Sequence, residues 1–314
     1  MNPRVRFGIA IPQTFIYEPV STELIRDVIE RAEAFGFHSA WVQEEILGAT
    51  ATLEPVELLT YVSAVTRRLR LGTAVLLSGI RSPLHLAKSL ATLDHLSHGR
   101  LIVGVGLGGS TGIYPAYGIS AERRTARFAA GIELMRRLWV EPLVTFESEF
   151  WTIERASLEP KPVQKPHPPI WIGAQHPTAL RRALELGDGF IGAGASSLAE
   201  FTEAVRILHR LLAVRGRDPA LFPISKRVYV AVDSNRRRAG VRLEEWFGRF
   251  YGTSGLAAKV AVWGGPQECI DALAAVADRG AQLIILNPVF DQLEQLERLT
   301  TEVIPHVDAR AKRA

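Results

Sequence analysis

The stretch 69–109, LRLGTAVLLSGIRSPLHLAKSLATLDHLSHGRLIVGVGLGG, most constrains what this chain can fold into. Two apolar runs, 69–77 and 101–105, are rich in Val, Leu and Ile with little polar alternation. Such runs suit parallel strands buried on both faces. Between them Leu86, Leu90, Leu93 and Leu96 repeat at threes and fours, the spacing of one helix face, and Gly99 supplies the stop. The stretch reads as one strand–helix–strand unit whose strands end in small or Gly-rich sequence. In parallel α/β folds the chemistry lies beyond the carboxyl ends of the strands.

The same alternation runs along the chain. Further strands are expected at 4–11, 39–43, 170–173, 189–192, 227–232 and 281–286, and further helices at 22–35, 54–68, 120–139, 178–186, 198–215, 266–278 and 291–304. Residues 143–153 alternate apolar and polar as a surface hairpin does, and the connector 160–169 holds five prolines. The polar, basic stretch 233–255 reads as a mobile insertion late in the pattern. Eight strands alternating with helices predict a (β/α)8 TIM barrel in one domain spanning 1–314. A doubly wound sheet competes, but it leaves strands seven and eight without a clear role.

Composition narrows the function classes. The chain is 47% hydrophobic and 22% charged, ordinary for a globular protein with a large core. Its net charge of +4 is scattered, and the densest basic run, Arg236 to Arg238, is three residues long. Nucleic-acid binding needs clustered charge or interleaved aromatics, so no nucleic-acid partner is expected. The single cysteine, Cys269, excludes an internal disulfide and any multi-cysteine metal site. No apolar run is long enough to span a bilayer, so the expectation is a cytoplasmic protein without a membrane partner.

Three segments, FGFHSAWVQEE, RSPLHLAKSLATLDHLSHGRLIVGVGLGG and PPIWIGAQHPTALRRALELGDGFI, resemble the bacterial luciferase-like oxidoreductases. The resemblance covers nearly the whole chain, and the ATLDxLSxGR run ahead of a Gly-rich strand is its most specific part. It implies a (β/α)8 barrel that binds FMN or the deazaflavin coenzyme at its carboxyl face and performs hydride transfer or oxygenation. It also implies a non-proline cis peptide at Ala74–Val75 and a homodimer, for which the helices after strands two and three supply apolar faces.

The residues give the same outline. An isoalloxazine is a flat slab with an anionic tail, so it needs apolar walls for the rings and backbone donors for the phosphate. Leu76, Leu77 and Ser78 after strand three, with Gly106, Leu107, Gly108 and Gly109 after strand four, offer such a surface. The glycines alone fit equally a crowded strand end that needs small residues. Gly173, Ala174, Gln175, His176 and Thr178 join a strand to a helix start, where free N–H groups and the helix dipole converge on a phosphate. The plainer alternative makes Thr178 a cap and His176 a loop residue.

Glu44 and Glu45 end strand two, where similar family members often carry an Asp/Glu–His pair facing the ring. Here Glu stands at the histidine position. A carboxyl in an apolar site can have its pKa raised and serve as acid or base. The two are expected to titrate as a coupled pair, unless they are solvated carboxylates that open a loop. His85, His95 and His98 lie on one helix and its end without metal-pair spacing, so no metal is expected. The expected function is an oxidoreductase acting on a small molecule. A non-catalytic flavin-binding barrel is the alternative that the missing histidine keeps open.

Overall fold

Eight parallel strands close on themselves: β1 (Arg6–Ala10), β2 (Ser39–Val42), β3 (Arg70–Thr73), β4 (Leu101–Val105), β5 (Ile170–Gly173), β6 (Gly189–Gly192), β7 (Ile224–Val232) and β8 (Leu283–Asn287). Each pairs with its neighbours in chain order, and β8 returns to β1 through register partners such as Phe7 and Ile284. The computed structural model describes residues 5–109 and 112–311, with side chains through residue 307. The expected start of the first strand, residue 4, lies outside them. Around the barrel stand α1 (Thr22–Ala34), α2 (Pro55–Val65), α3 (Pro83–Leu96), α4 (Arg124–Val140), α5 (Pro177–Leu186) and α6 (Leu198–Val214). After β7 come α7 (Arg236–Tyr251) and α8 (Pro266–Asp278). None of the described helices is long and apolar enough to cross a membrane.

The interior is packed around two tryptophans. Trp41 of β2 and Trp171 of β5 meet across it with ring centroids 5.7 Å apart. They need room, and the neighbouring strands give it. A Cβ on Gly8 would come within 2.7 Å of Trp41 Nε1, and one on Gly72 would overlap the same indole. A Cβ on Gly189 would meet Trp171 at 2.8 Å. Large rings opposite glycines fill a barrel as completely as layers of aliphatic residues do.

The amino-terminal face explains the ATLDxLSxGR run. Gly99 turns the chain at φ +75°, a left-handed conformation that glycine adopts without strain. The buried Arg100 then donates to the carbonyls of Ser63, Thr66, Leu69 and Ser97 and to Thr66 Oγ1, tying the end of α2 to the end of α3. Asp94, fully buried, accepts from Gln164 N at 2.9 Å and Gln164 Nε2 at 2.7 Å, which docks the proline-rich connector. These residues build the barrel's floor, far from the end where chemistry is expected.

Several expected boundaries shift: the strand expected over 69–77 ends at Thr73, and the closing helix expected over 291–304 is broken after Arg298 and runs on to Ala311. The helix expected from residue 120 begins at Arg124, and β7 begins at Ile224 rather than 227. Residues 233–255 hold the sixteen-residue helix α7, whose Ala239, Leu243, Trp246 and Phe247 are buried. Asn235 caps it by accepting from Arg238 N at 3.0 Å, and Asp233 grips the Arg238 guanidinium at 2.8 Å. The helix sets Trp246, Phe247, Phe250 and Tyr251 against Tyr229 of β7, an aromatic cluster over the carboxyl end of that strand.

Candidate active site at the carboxyl face

The segment after β3 shapes this face. The Ala74–Val75 peptide is cis, as the family resemblance implies. Ala74 N donates to Val42 O at 2.6 Å, Leu76 N to Gly104 O at 2.8 Å, and Thr73 Oγ1 to Gly104 O at 2.7 Å. Crowding around this segment accounts for the glycines of the GVGLGG run. A Cβ on Gly104 would overlap Thr73 O; on Gly106 it would reach Val75 at 2.7 Å, and on Gly108 Leu77 at 2.9 Å. Gly173 of β5 is held to the same rule, 2.9 Å from Val75. Of the glycines after β4, Gly109 has open space around its Cβ position.

The predicted ring-binding residues divide. Ala74, Val75, Leu77 and Leu107 are half-buried at the rim, Gly106 is buried, and Gly108 and Gly109 are exposed. Leu76 is fully buried in the core between barrel and helices, so it supports the shelf rather than lining it. Ser78 is buried, and its hydroxyl has no partner.

Glu44 and Glu45 have different surroundings. The Glu44 side chain has no exposed surface. Its Oε2 accepts from Leu77 N at 2.5 Å, and Oε1 from Arg81 Nε at 2.9 Å. Arg81 also reaches Glu54 Oε1 at 2.5 Å, while the other Glu54 oxygen caps α2 by accepting from Val56 N at 2.6 Å. Burial pushes the Glu44 carboxyl above the usual carboxylate range, and Arg81 pulls partway back. The like charge that adds to the rise is Glu54, not Glu45. Glu45 Oε2 accepts from Thr50 Oγ1 and Thr52 Oγ1, each at 2.7 Å, and Glu45 opens onto a cleft shared with Ile46, Arg81, His85 and Tyr117. The expected coupling between Glu44 and Glu45 therefore gives way to two separate networks, because adjacent residues at a strand end turn to different sides.

The loop from Gly173 to Thr178 leads into α5, whose cap residue His176 makes no side-chain capping bond. Gln175, His176 and Thr178 are exposed, and Ala174 is buried. A cleft of about 470 Å³ between this loop and α6 is lined by Ala174, Gln175, His176, Ser196 and Glu200. It does not include Leu77, Leu107 or Gly108, which follow β3 and β4 along the rim. On α4, Arg124 Nη1 is buried with no partner. Burial lowers the Arg182 guanidinium's affinity for its proton, Glu185 opposes the fall, and Arg124 of α4 adds to it, so cations of α4 and α5 act on the same region.

Sequence reasoning missed the barrel mouth. Arg227 of β7 lies with Gln13, Trp41, Gln43, Trp246 and Asn287 around its centre. Its guanidinium sits 5.1 Å from the Tyr229 ring centroid. The Tyr229 and Tyr251 hydroxyls are 2.6 Å apart. Burial holds the Tyr251 hydroxyl well above its ordinary value; Glu45 reinforces the rise and Arg227 opposes it. The available signal was Lys226-Arg227 inside an otherwise apolar strand, since such residues are seldom buried without a partner or a purpose. Lys226 donates to the Ser196 carbonyl at 2.9 Å and to the Ala193 carbonyl, and burial brings its amine down to about 7.

The remaining candidates are structural. His95 bonds the Lys161 carbonyl at 2.7 Å, and among the described residues no group of three or more His, Cys, Asp or Glu is placed to hold a metal. Burial pushes the Cys269 thiol up to about 12, far from a reactive thiolate.

Comparison with known proteins agrees with the fold. A family model described as luciferase-like monooxygenase matches residues 5–255. An uncharacterized protein of Mycobacterium tuberculosis is 39% identical over 168 residues, 53% of this chain and 58% of the relative, so the match spans little more than half of that protein. An F420-dependent glucose-6-phosphate dehydrogenase of Nakamurella multipartita is 30% identical over 249 residues, covering 76% of this chain and 70% of the relative. The crystal structure of monooxygenase RslO1 from Streptomyces bottropensis superposes with a TM-score of 0.83 at 26% identity, over 96% of this chain and 99% of that one. With the closed barrel, the cis segment after β3 and a matched stretch of this length, the chain belongs to the luciferase-like monooxygenase family.

Proposed function

We propose that this chain is an oxidoreductase that binds a dissociable flavin-type cofactor, FMN or the deazaflavin coenzyme F420, and acts on a small organic substrate. The observation that carries the reading is the pairing of a half-buried apolar shelf with unanswered polar groups around it. Val75, Leu77 and Leu107 would pack against the ring. Ser78 Oγ and Arg124 Nη1 are buried without partners, and α5 begins without a side-chain cap. The phosphate would lie at residues 175–178, where the helix dipole, Thr178 and the cations of Arg124 and Arg182 favour negative charge. When bound, the cofactor supplies hydride transfer or, with oxygen, oxygenation.

The protein's own residues would orient, shield and move protons. Glu44 holds the shelf in place through Leu77 N–H and Arg81. Glu45, fixed by two threonine hydroxyls, is the group we assign to proton exchange with the substrate. Trp246 and the rings around it cover the mouth and keep water out. We further infer that the chain works as one barrel domain, in the cytoplasm, without nucleic-acid or membrane partners, and as a homodimer. Exposed Leu84 and Leu96 on α3 and Leu47 after β2 support the last point. Titrating the protein separately with FMN and F420, then following oxidation of each reduced form, tests the reading. Binding of neither would end it.

A further inference from the structure

Arg227 is 9% exposed, yet among the described residues it has no hydrogen-bond or ion-pair partner. Other buried cations in this chain are treated differently. Arg100 is saturated by carbonyls and a hydroxyl, and its own neighbour Lys226 is held by the Ala193 and Ser196 carbonyls. Its nitrogens are not among the buried, unpartnered side-chain atoms of the described residues, so they open onto the mouth, where a ligand can take them up. The guanidinium points into the barrel mouth beside Gln13, Trp41, Gln43, Trp246 and Asn287. Gln13 is already engaged: it donates to the Gln43 and Leu53 carbonyls and accepts from Gln43 N. No side-chain bond within the described residues engages Gln43 or Asn287. One cation, two amides and two indoles therefore converge on one spot.

We propose that the mouth takes a small organic carboxylate, with its carboxylate on Arg227 and its apolar body between Trp41 and Trp246. A guanidinium presents a planar fork that matches a carboxylate through two parallel bonds. A single positive charge balances a single negative one, which favours a carboxylate over a phosphate dianion. The space beside Arg227 is about 30 Å³, room for about one water-sized group. A carboxylate is larger than that, so headgroup and body enter together by displacing Trp246 on α7. This assignment rests on the reading of the carboxyl face as the active site, and it names the substrate class for that site.

The test is tryptophan fluorescence of the full chain titrated with acetate, hexanoate and benzoate, each paired with its uncharged amide. At least one carboxylate should bind at least tenfold more tightly than its amide and change the emission. Arg227→Met should abolish that preference, and Arg227→Lys should keep part of it. Because Arg227 makes no hydrogen bond or ion pair within the described residues and loses only its contact with the Tyr229 ring, Arg227→Met should unfold at close to the parent's urea concentration. The proposal is overturned if no carboxylate outbinds its amide, if Arg227→Met binds carboxylates as the parent does, or if that variant is markedly destabilised. It is also overturned if Arg227→Met loses FMN or F420 affinity in parallel, since the guanidinium would then serve the cofactor. Failure of the parent to bind either cofactor would sink the cofactor reading alone and leave the carboxylate preference standing.

Discussion

Glu44 gives its oxygens to Leu77 N–H and Arg81 and has no exposed side-chain surface, whereas Glu45 is held by two threonine hydroxyls at the edge of a cleft. A carboxylate locked between a backbone N–H and a guanidinium positions; one held by hydroxyls beside open space can exchange protons. Glu45→Gln is therefore expected to lower turnover on the order of a hundredfold while nearly preserving cofactor affinity. Glu44→Gln should instead weaken cofactor binding, because the shelf that it anchors loosens. Equal effects of both substitutions on kcat would contradict this division. The sequence places both residues at the end of strand two but cannot separate them. What separates them is Arg81, Leu77, Thr50 and Thr52, and only the folded chain brings those groups to the two carboxylates.

At the scale of elements, the run that marks the family most specifically turns out to hold the floor of the barrel. Arg100 ties the ends of α2 and α3 through Ser63, Thr66, Leu69 and Ser97. Arg100→Ala would leave several buried carbonyls unpaired at about 1–3 kcal/mol each, so a loss of about 3 kcal/mol or more in urea unfolding is expected. The kcat of the folded fraction should not change; a fall in kcat would move this residue into the chemistry. The strand–helix pattern was legible because apolar runs and helical spacing are local signals. The helix α7 was hidden because its buried face, Ala239, Leu243, Trp246 and Phe247, is set among arginines and glutamates. The Gly-rich run was legible as a strand end, but its cause, the crowding of Thr73, Val75 and Leu77 around the cis peptide, is tertiary.

Across the whole molecule, the two ends of the barrel divide the work between stability and function. At the amino-terminal end, His38 Nε2 faces Arg6 Nη1 at 3.3 Å, so this nitrogen accepts, and Nδ1 then carries the proton toward Ser39 Oγ at 3.0 Å. Burial, with Arg6 and Arg70 nearby, lowers the imidazole to about 4. The folded state thus binds its proton later than the unfolded chain does on acidification. The stability from neutral His38 is present above about 6.5 and is lost as pH falls toward about 4. His38→Gln should flatten that part of the urea-midpoint profile, and an unchanged slope would assign the acid sensitivity elsewhere. At the carboxyl end, the central claim is that a cofactor lies on the shelf after β3 with its phosphate at the start of α5. The most direct measurement is the affinity of the parent and of Thr178→Glu for FMN and F420, followed by absorbance. The account predicts that the parent binds at least one of them and that Thr178→Glu weakens it at least about tenfold, or about 1.4 kcal/mol, with little change in stability without cofactor. A parent that binds neither, or a variant that binds as tightly as the parent, would contradict it.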